Sequence, residues 1–215
     1  MDVTAVIWDW NGTLLDDVAF SAALLNRQLT RHGCAPLEGG LAAYRRVFRF
    51  PIEEYYRDAG FDLARTPHGQ LAEEYMAIYE PESRDCPLQP HARAALEGLR
   101  DAGLTQVVLS ASEEKLLLRQ LAHYGLAEGM FAQVLGLSDI LGRSKAEMGR
   151  AWMEQSHVDP ACAVMVGDSV HDWEVARAMG TGCVLYSGGH QAREALVATG
   201  APVIDDLLEL PDLIK

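Results

Sequence analysis

The chain has 215 residues, 49% of them hydrophobic and 23% charged, which suits one buried core with a modest insertion. Its 18 basic and 31 acidic residues give a formal charge of −13, which argues against nucleic acid and anionic membrane as partners, because both select a basic surface. The four cysteines form no C-x-x-C, and neither a basic leader nor a membrane-length apolar run is visible, so a reducing cytoplasmic setting is expected.

In chain order, residues 3–8 are a short run rich in β-branched and apolar side chains, as in a strand buried on both faces. It stops at Asp9, and Asn11-Gly12 turns the chain. Val18, Ala22, Leu25 and Leu29 then recur at helical spacing, with Gly33 as the stop. Helical patterns follow at 41–48, 52–59 and 70–79, broken by Pro51, Gly60, Pro67 and Pro81, without a convincing strand. Residues 17–85 are therefore expected to form a helical cap domain inserted after the first strand, with 1–16 and 86–215 as the core domain.

From Pro87 strands alternate with helices. Pro90 suits the first turn of a helix carrying Ala92, Ala95, Leu96, Leu99 and Ala102, and Gly103 lies past its end. Residues 106–109 read as a strand ending at Ser110-Ala111-Ser112, with Ser112 placed to cap a helix that begins at Glu113-Glu114. Residues 131–135 read as a weaker strand, and Ser144-Lys145 opens a helix to about 156. Residues 161–166 are a strand delivering Gly167-Asp168, followed by a helix over 170–179 that Gly180 closes. Two short strands at 183–186 and 202–204 flank a helix over 191–199. This alternation predicts an α/β fold with a doubly wound parallel sheet.

Asp9, Ser110 and Asp168 each follow an apolar strand, and Lys145 opens a helix after another. In a parallel sheet all four gather at the carboxyl edge, where open α/β sheets bind ligands. Asp9 and Asp168 supply hard oxygens suited to Mg²⁺. Lys145 supplies positive charge, and Asp172, four residues past Asp168 on the first helical turn, can point back toward a metal. Taken singly, each fits an ordinary strand end.

The whole set in this order resembles the haloacid dehalogenase superfamily, in particular its phosphoglycolate phosphatase-like members with a helical cap. Asp9-Trp10-Asn11-Gly12-Thr13 is similar to the first motif, D-x-D-G-T. Ser110 matches the second and Lys145 the third, with Ala146 where Pro often follows, and Gly167-Asp168-Ser169-Val170-His171-Asp172 matches the fourth, G-D-x-x-x-D. The resemblance implies a Mg²⁺-dependent phosphatase acting on a small phosphorylated metabolite; a monomer or homodimer is expected, between which the sequence does not choose. Asp9 would be the nucleophile that forms an aspartyl-phosphate. The metal would be held by Asp9, the backbone carbonyl of Asn11, Asp168 and Asp172, the last directly or through water. Lys145 would pair with Asp9 and a phosphate oxygen, Ser110 and the Ala111 N–H would bind the phosphate, and Thr13 would steady the loop.

Asn11 departs from the motif, whose second Asp protonates the leaving oxygen and then activates water. An amide donates hydrogen bonds but exchanges no proton. The expectation is slow turnover of alkyl phosphates, less loss with acyl or aryl phosphates, and a gain on alkyl phosphates in Asn11→Asp. The alternative is a weakened member that binds a phosphorylated ligand or partner in a regulatory role. His171 is the nearby candidate for another acid. In the cap, Arg45, Arg46 and Arg49 could reach a second anionic group on the substrate, although helical Arg is more often solvated. Gly188-Gly189-His190 reads as a tight loop without chemistry.

Overall fold

The computed structural model describes residues 3–137 and 144–214. Its centre is β1 (Ala5–Trp8), buried along its whole length. Side chains alternate across a strand, so Val6 and Trp8 enter one apolar layer while Ala5 and Ile7 enter the other. Around it lie β2 (Thr105–Glu113), β3 (Gln133–Leu137), β4 (Ala163–Gly167), β5 (Gly182–Tyr186) and β6 (Val203–Ile204). They form one six-stranded sheet in the order β3-β2-β1-β4-β5-β6, with every pairing parallel. Trp8 stands opposite Val108 on one side and Val166 on the other. The strand order runs outward in both directions from β1, which opens a crevice at its carboxyl end.

Between β1 and the rest of the sheet come α1 (Val18–Arg31), α2 (Gly40–Val47), α3 (Ile52–Ala59) and α4 (His68–Glu82). They share an apolar cluster of their own, in which Val18, Leu25 and Leu29 meet Tyr44, Tyr55, Tyr56 and Leu71. The sheet is covered by α5 (Ala92–Asp101) and α6 (Glu114–His123) on one face, through Leu96, Leu99, Leu117 and Leu121. On the other face α7 (Lys145–Ser156) and α8 (Val170–Met179) contribute Trp152, Met153, Val175 and Met179. Two short helices, α9 (Arg193–Ala198) and α10 (Leu210–Leu213), complete the chain. Among the described residues no helix is long and apolar enough to cross a membrane.

Two local expectations change. Helix α5 begins at Ala92 after His91, whose φ is 61°, so Pro90 precedes the helix instead of opening it. Strand β2 continues beyond Ser110 to Glu113, with a register shift against β3 between Leu109 and Glu113. Glu113, not Ser112, is then the residue before α6. The Ser112 hydroxyl is freed for a different partner, described below.

Candidate active site

Asp9 follows β1 directly, and its backbone N–H donates to Val166 O on β4 at 2.8 Å, which fixes the chain where the crevice opens. The residue is only 6% exposed. Lys145, the first residue of α7, places Nζ 2.5 Å from Asp9 Oδ1 and 2.6 Å from Asp172 Oδ1. The Thr13 hydroxyl lies 3.3 Å from Asp9 Oδ2 and 3.2 Å from Asp168 Oδ1, so its one proton is shared between two carboxylates. Ser169 caps α8 in a reciprocal box with Asp172. Asp172 Oδ2 accepts from the Asp168 and Ser169 amides and from Ser169 Oγ at 3.1, 3.0 and 2.6 Å.

Asp9, Asp168 and Asp172 each offer a carboxylate oxygen, and these atoms lie within 4.8 Å of one another. Burial pushes the Asp9 carboxyl up to about 6, with Asp172 adding and Lys145 opposing. Burial likewise raises Asp168 to about 8, with His190 opposing and Asp9 and Asp172 adding. For Asp172 burial is outweighed by Lys145 and the Ser169 bond, which hold it below the usual carboxylate range. Lys145 is desolvated, yet Asp172 and Asp9 together hold its pKa above normal. Three buried carboxylates thus face one ammonium. A small hard cation fits this donor set, because it supplies the charge that burial withholds and takes oxygen ligands. Asp172 already carries four hydrogen bonds, so its link to a cation is less direct than those of Asp9 and Asp168.

Two glycines set the shape of this cluster. Gly12 has φ +75°, and a Cβ there would collide with both the Asp168 carboxylate and the His190 ring. A Cβ on Gly189 would also strike Asp168. Both backbones must pass close to that carboxylate, and only glycine permits it.

Asn11 sits beside the cluster with its carboxamide bonded on both sides. Nδ2 donates to Asp17 Oδ2 at 3.1 Å and lies 2.5 Å from Tyr79 OH. Oδ1 accepts from Ser112 Oγ at 2.6 Å and from Ser110 Oγ at 3.5 Å. Asp17, His190 and Tyr79 escaped the sequence reading. Asp17 is buried and accepts from Gly12 N at 2.9 Å, Tyr79 OH at 2.5 Å and His190 Nε2 at 3.0 Å. Burial opposes its ionisation, but His190 and these bonds hold its carboxyl below the usual range. Burial likewise disfavours a charged His190, yet Asp17, Asp168 and Asp9 together raise its pKa to about 9. His190 N also donates to Asp168 Oδ2 at 2.5 Å, and its Nδ1 lies 2.8 Å from Tyr44 OH. The Gly188-Gly189-His190 loop therefore belongs to the cluster. Its position directly after β5 was the available signal, the same one that marked Asp9 and Asp168.

The remaining candidates divide. Ser110 is buried and Ala111 exposed, and both line the cavity that holds Asp9 and Lys145. Arg45 turns away from it, donating to Gly189 O at 2.8 Å and Gly188 O at 2.7 Å, and so ties α2 to the loop after β5. Arg49 pairs with Glu54 at 3.3 Å and Asp58 at 2.8 Å, and Arg46 is exposed. His171 stacks on Phe50 with ring centres 4.5 Å apart. Trp10 is wholly buried and donates to Gln120 Oε1 at 2.8 Å, a core residue.

The family model of haloacid dehalogenase-like hydrolases matches residues 6–186. A phosphoglycolate phosphatase of Rhodospirillum rubrum is 30% identical over 223 residues, covering 97% of this chain and 89% of that protein. The tyrosine-protein kinase PtkA of Mycobacterium tuberculosis is 29% identical over 216 residues, covering 95% of this chain and 71% of its own length. In fold, the chain is similar to the crystal structure of a predicted phosphatase from Clostridium acetobutylicum, with a TM-score of 0.81, 21% identity, and coverage of 100% of this chain and 99% of that one.

Proposed function

This chain belongs to the haloacid dehalogenase-like hydrolases, and on that premise we propose that it is a Mg²⁺-dependent phosphatase that hydrolyses a small phosphorylated molecule through an aspartyl-phosphate on Asp9. The observation that carries this reading is the convergence of Asp9, Asp168 and Asp172 within 4.8 Å, with the Lys145 ammonium on two of them. Residues 17–85 act as the cap over a core built from 1–16 and 86–215.

Asp9 attacks phosphorus in line; an O–P bond forms as the ester P–O bond breaks. Water then attacks the same phosphorus, releasing phosphate and restoring the carboxylate. Lys145 orients Asp9 and neutralises a phosphate oxygen, while Asp172 fixes Lys145. Ser110 Oγ and the Ala111 N–H hold other phosphate oxygens, and Thr13 keeps the Asp9 and Asp168 carboxylates together. Asp9, the Asn11 backbone carbonyl and Asp168 would hold Mg²⁺, with Asp172 through water; bound there, the ion screens repulsion between carboxylate and phosphate dianion and stabilises transferring charge. The test is phosphate release from p-nitrophenyl phosphate, expected with Mg²⁺ and lost on chelation. Tight binding of phosphorylated ligands without release would favour the regulatory alternative.

Asn11→Asp is expected to raise turnover of a simple alkyl phosphate by roughly 10²-fold, the lower end of general acid–base assistance. The new carboxyl would face Asp17, which His190 and Tyr79 keep ionised, so the proton stays on residue 11, as an acid requires. Steady-state kinetics of the two proteins decides; an unchanged or lower rate would show that the missing carboxyl does not limit turnover.

A further inference from the structure

Behind the carboxylates lies a cavity of about 470 Å³, within the range of small-ligand sites. Its inner end is polar, with Asp9, Lys145 and Ser110. Much of the remaining lining is aromatic or aliphatic, with Phe48, Phe50, Ile52, Tyr75, Met76 and Leu137, and Glu113 adds an acidic charge to the cavity. Among the described residues, Lys145 is the one Lys or Arg that lines it, and Asp9 and Asp172 already bind its ammonium. The two lining histidines already face carboxylates, His190 with Asp17 at 3.0 Å and His171 with Glu174 at 3.4 Å. Arg45 and Arg49, the cap guanidiniums that could have met a second anionic group, bind the Gly188 and Gly189 carbonyls and Glu54 and Asp58 instead.

A substrate whose phosphate sits at Asp9 therefore extends its leaving group among rings and aliphatic side chains. Among the described residues a carboxylate there would lose water without gaining an uncommitted cation, whereas an aromatic ring would be well accommodated. A second, independent observation points the same way. Asn11, lining the same cavity, has a carboxamide locked between Asp17 and Ser112 and has no proton to give a leaving oxygen. A phenol ionises near pH 10, as tyrosine does, so its oxygen departs unprotonated far more readily than one whose acidity is nearer that of water, about 15.7.

We infer that the substrate is an aryl phosphate, a phosphomonoester of a phenol-like alcohol with no second anionic group; this rests on the phosphatase reading above. Asp9 bonds to phosphorus, the aryl P–O bond breaks with its electron pair passing to the phenolate, and water cleaves the aspartyl-phosphate. The proton that water releases balances the phenolate, so phenol and phosphate are the products.

The experiment compares four compounds with the full chain in Mg²⁺. Phenyl phosphate has the ring and the good leaving group, benzyl phosphate only the ring, and acetyl phosphate only the leaving group. Phosphoglycolate has neither and adds a charge. Phenyl phosphate is expected to show the highest kcat/KM, exceeding phosphoglycolate by roughly 10²-fold, the scale of the missing acid. Benzyl phosphate should share the KM of phenyl phosphate but not its kcat. Phe50→Ala should raise KM for both ring compounds relative to acetyl phosphate by about tenfold. Phosphoglycolate matching or exceeding phenyl phosphate, or Phe50→Ala hurting acetyl phosphate as much as phenyl phosphate, overturns the aryl assignment while leaving the phosphatase standing. Failure to hydrolyse even acetyl phosphate overturns both.

Discussion

Asp9→Asn is expected to lower phosphate release from p-nitrophenyl phosphate by ~10⁴-fold or more, the scale observed when a covalent nucleophile is deleted. The amide is nearly isosteric and cannot form the acyl phosphate, so the loss should fall on kcat. The fold should survive. Asp9 is one of three carboxylates crowded within 4.8 Å, and burial already pushes its carboxyl up to about 6. Removing its charge ends the burial cost that raises this carboxyl, and Lys145 keeps Asp172 as its partner, so without Mg²⁺ the variant should melt at or above the wild-type temperature. Coincident loss of activity and of thermal stability would point instead to a structural role for Asp9.

Lys145→Met is expected to act mainly on stability. Lys145 is only 5% exposed, and its ammonium is shared between Asp9 and Asp172 at 2.5 and 2.6 Å. Breaking a buried ion pair by deleting one partner costs about 3–5 kcal/mol, and here two carboxylates lose their cation. Chemical denaturation without Mg²⁺ should report that loss as a lower midpoint. Saturating Mg²⁺ should return part of it, about 2.7 kcal/mol at a hundredfold excess over Kd. Activity should fall as well, because Asp9 and the phosphate lose the same cation. A variant as stable as wild type without Mg²⁺ would contradict this account of how the carboxylates are tolerated.

Much of the fold is legible in the sequence, because strands such as 3–8 and 161–166 are apolar runs that stop at a polar residue. What was not legible depends on distant partners. The extension of β2 through Ser112 arises from pairing with β3 after a register shift, which no local periodicity reveals. At the site, Asp9, Ser110, Lys145 and Asp168 were readable because each sits where a strand ends or a helix begins. Asp17 and His190 were not, since they are 173 residues apart in the chain and take on their character only where they meet. For Arg45 the sequence offers a substrate contact or a solvated side chain, and it cannot show the Gly188 and Gly189 carbonyls that bind the guanidinium, because they belong to a loop far along the chain.

The central claim is that the buried carboxylates share one divalent cation, and thermal unfolding with and without Mg²⁺ at pH 5 and pH 8 tests it most directly. Burial pushes the Asp9 and Asp168 carboxyls up to about 6 and about 8, above the usual carboxylate range. A carboxyl raised in the native state costs stability as pH climbs from the unfolded value through the native one. Without Mg²⁺ the protein should therefore weaken between about pH 4 and pH 8. His190, raised from 6.5 to about 9, adds a loss of the same sign, with or without the ion, as pH rises through that interval. Mg²⁺ replaces the protons the carboxylates give up, so its stabilising increment should be small at pH 5 and large at pH 8, and reduced in Asp168→Asn. An absence of any Mg²⁺-dependent shift at pH 8, or a shift that Asp168→Asn leaves intact, would contradict the shared-cation account.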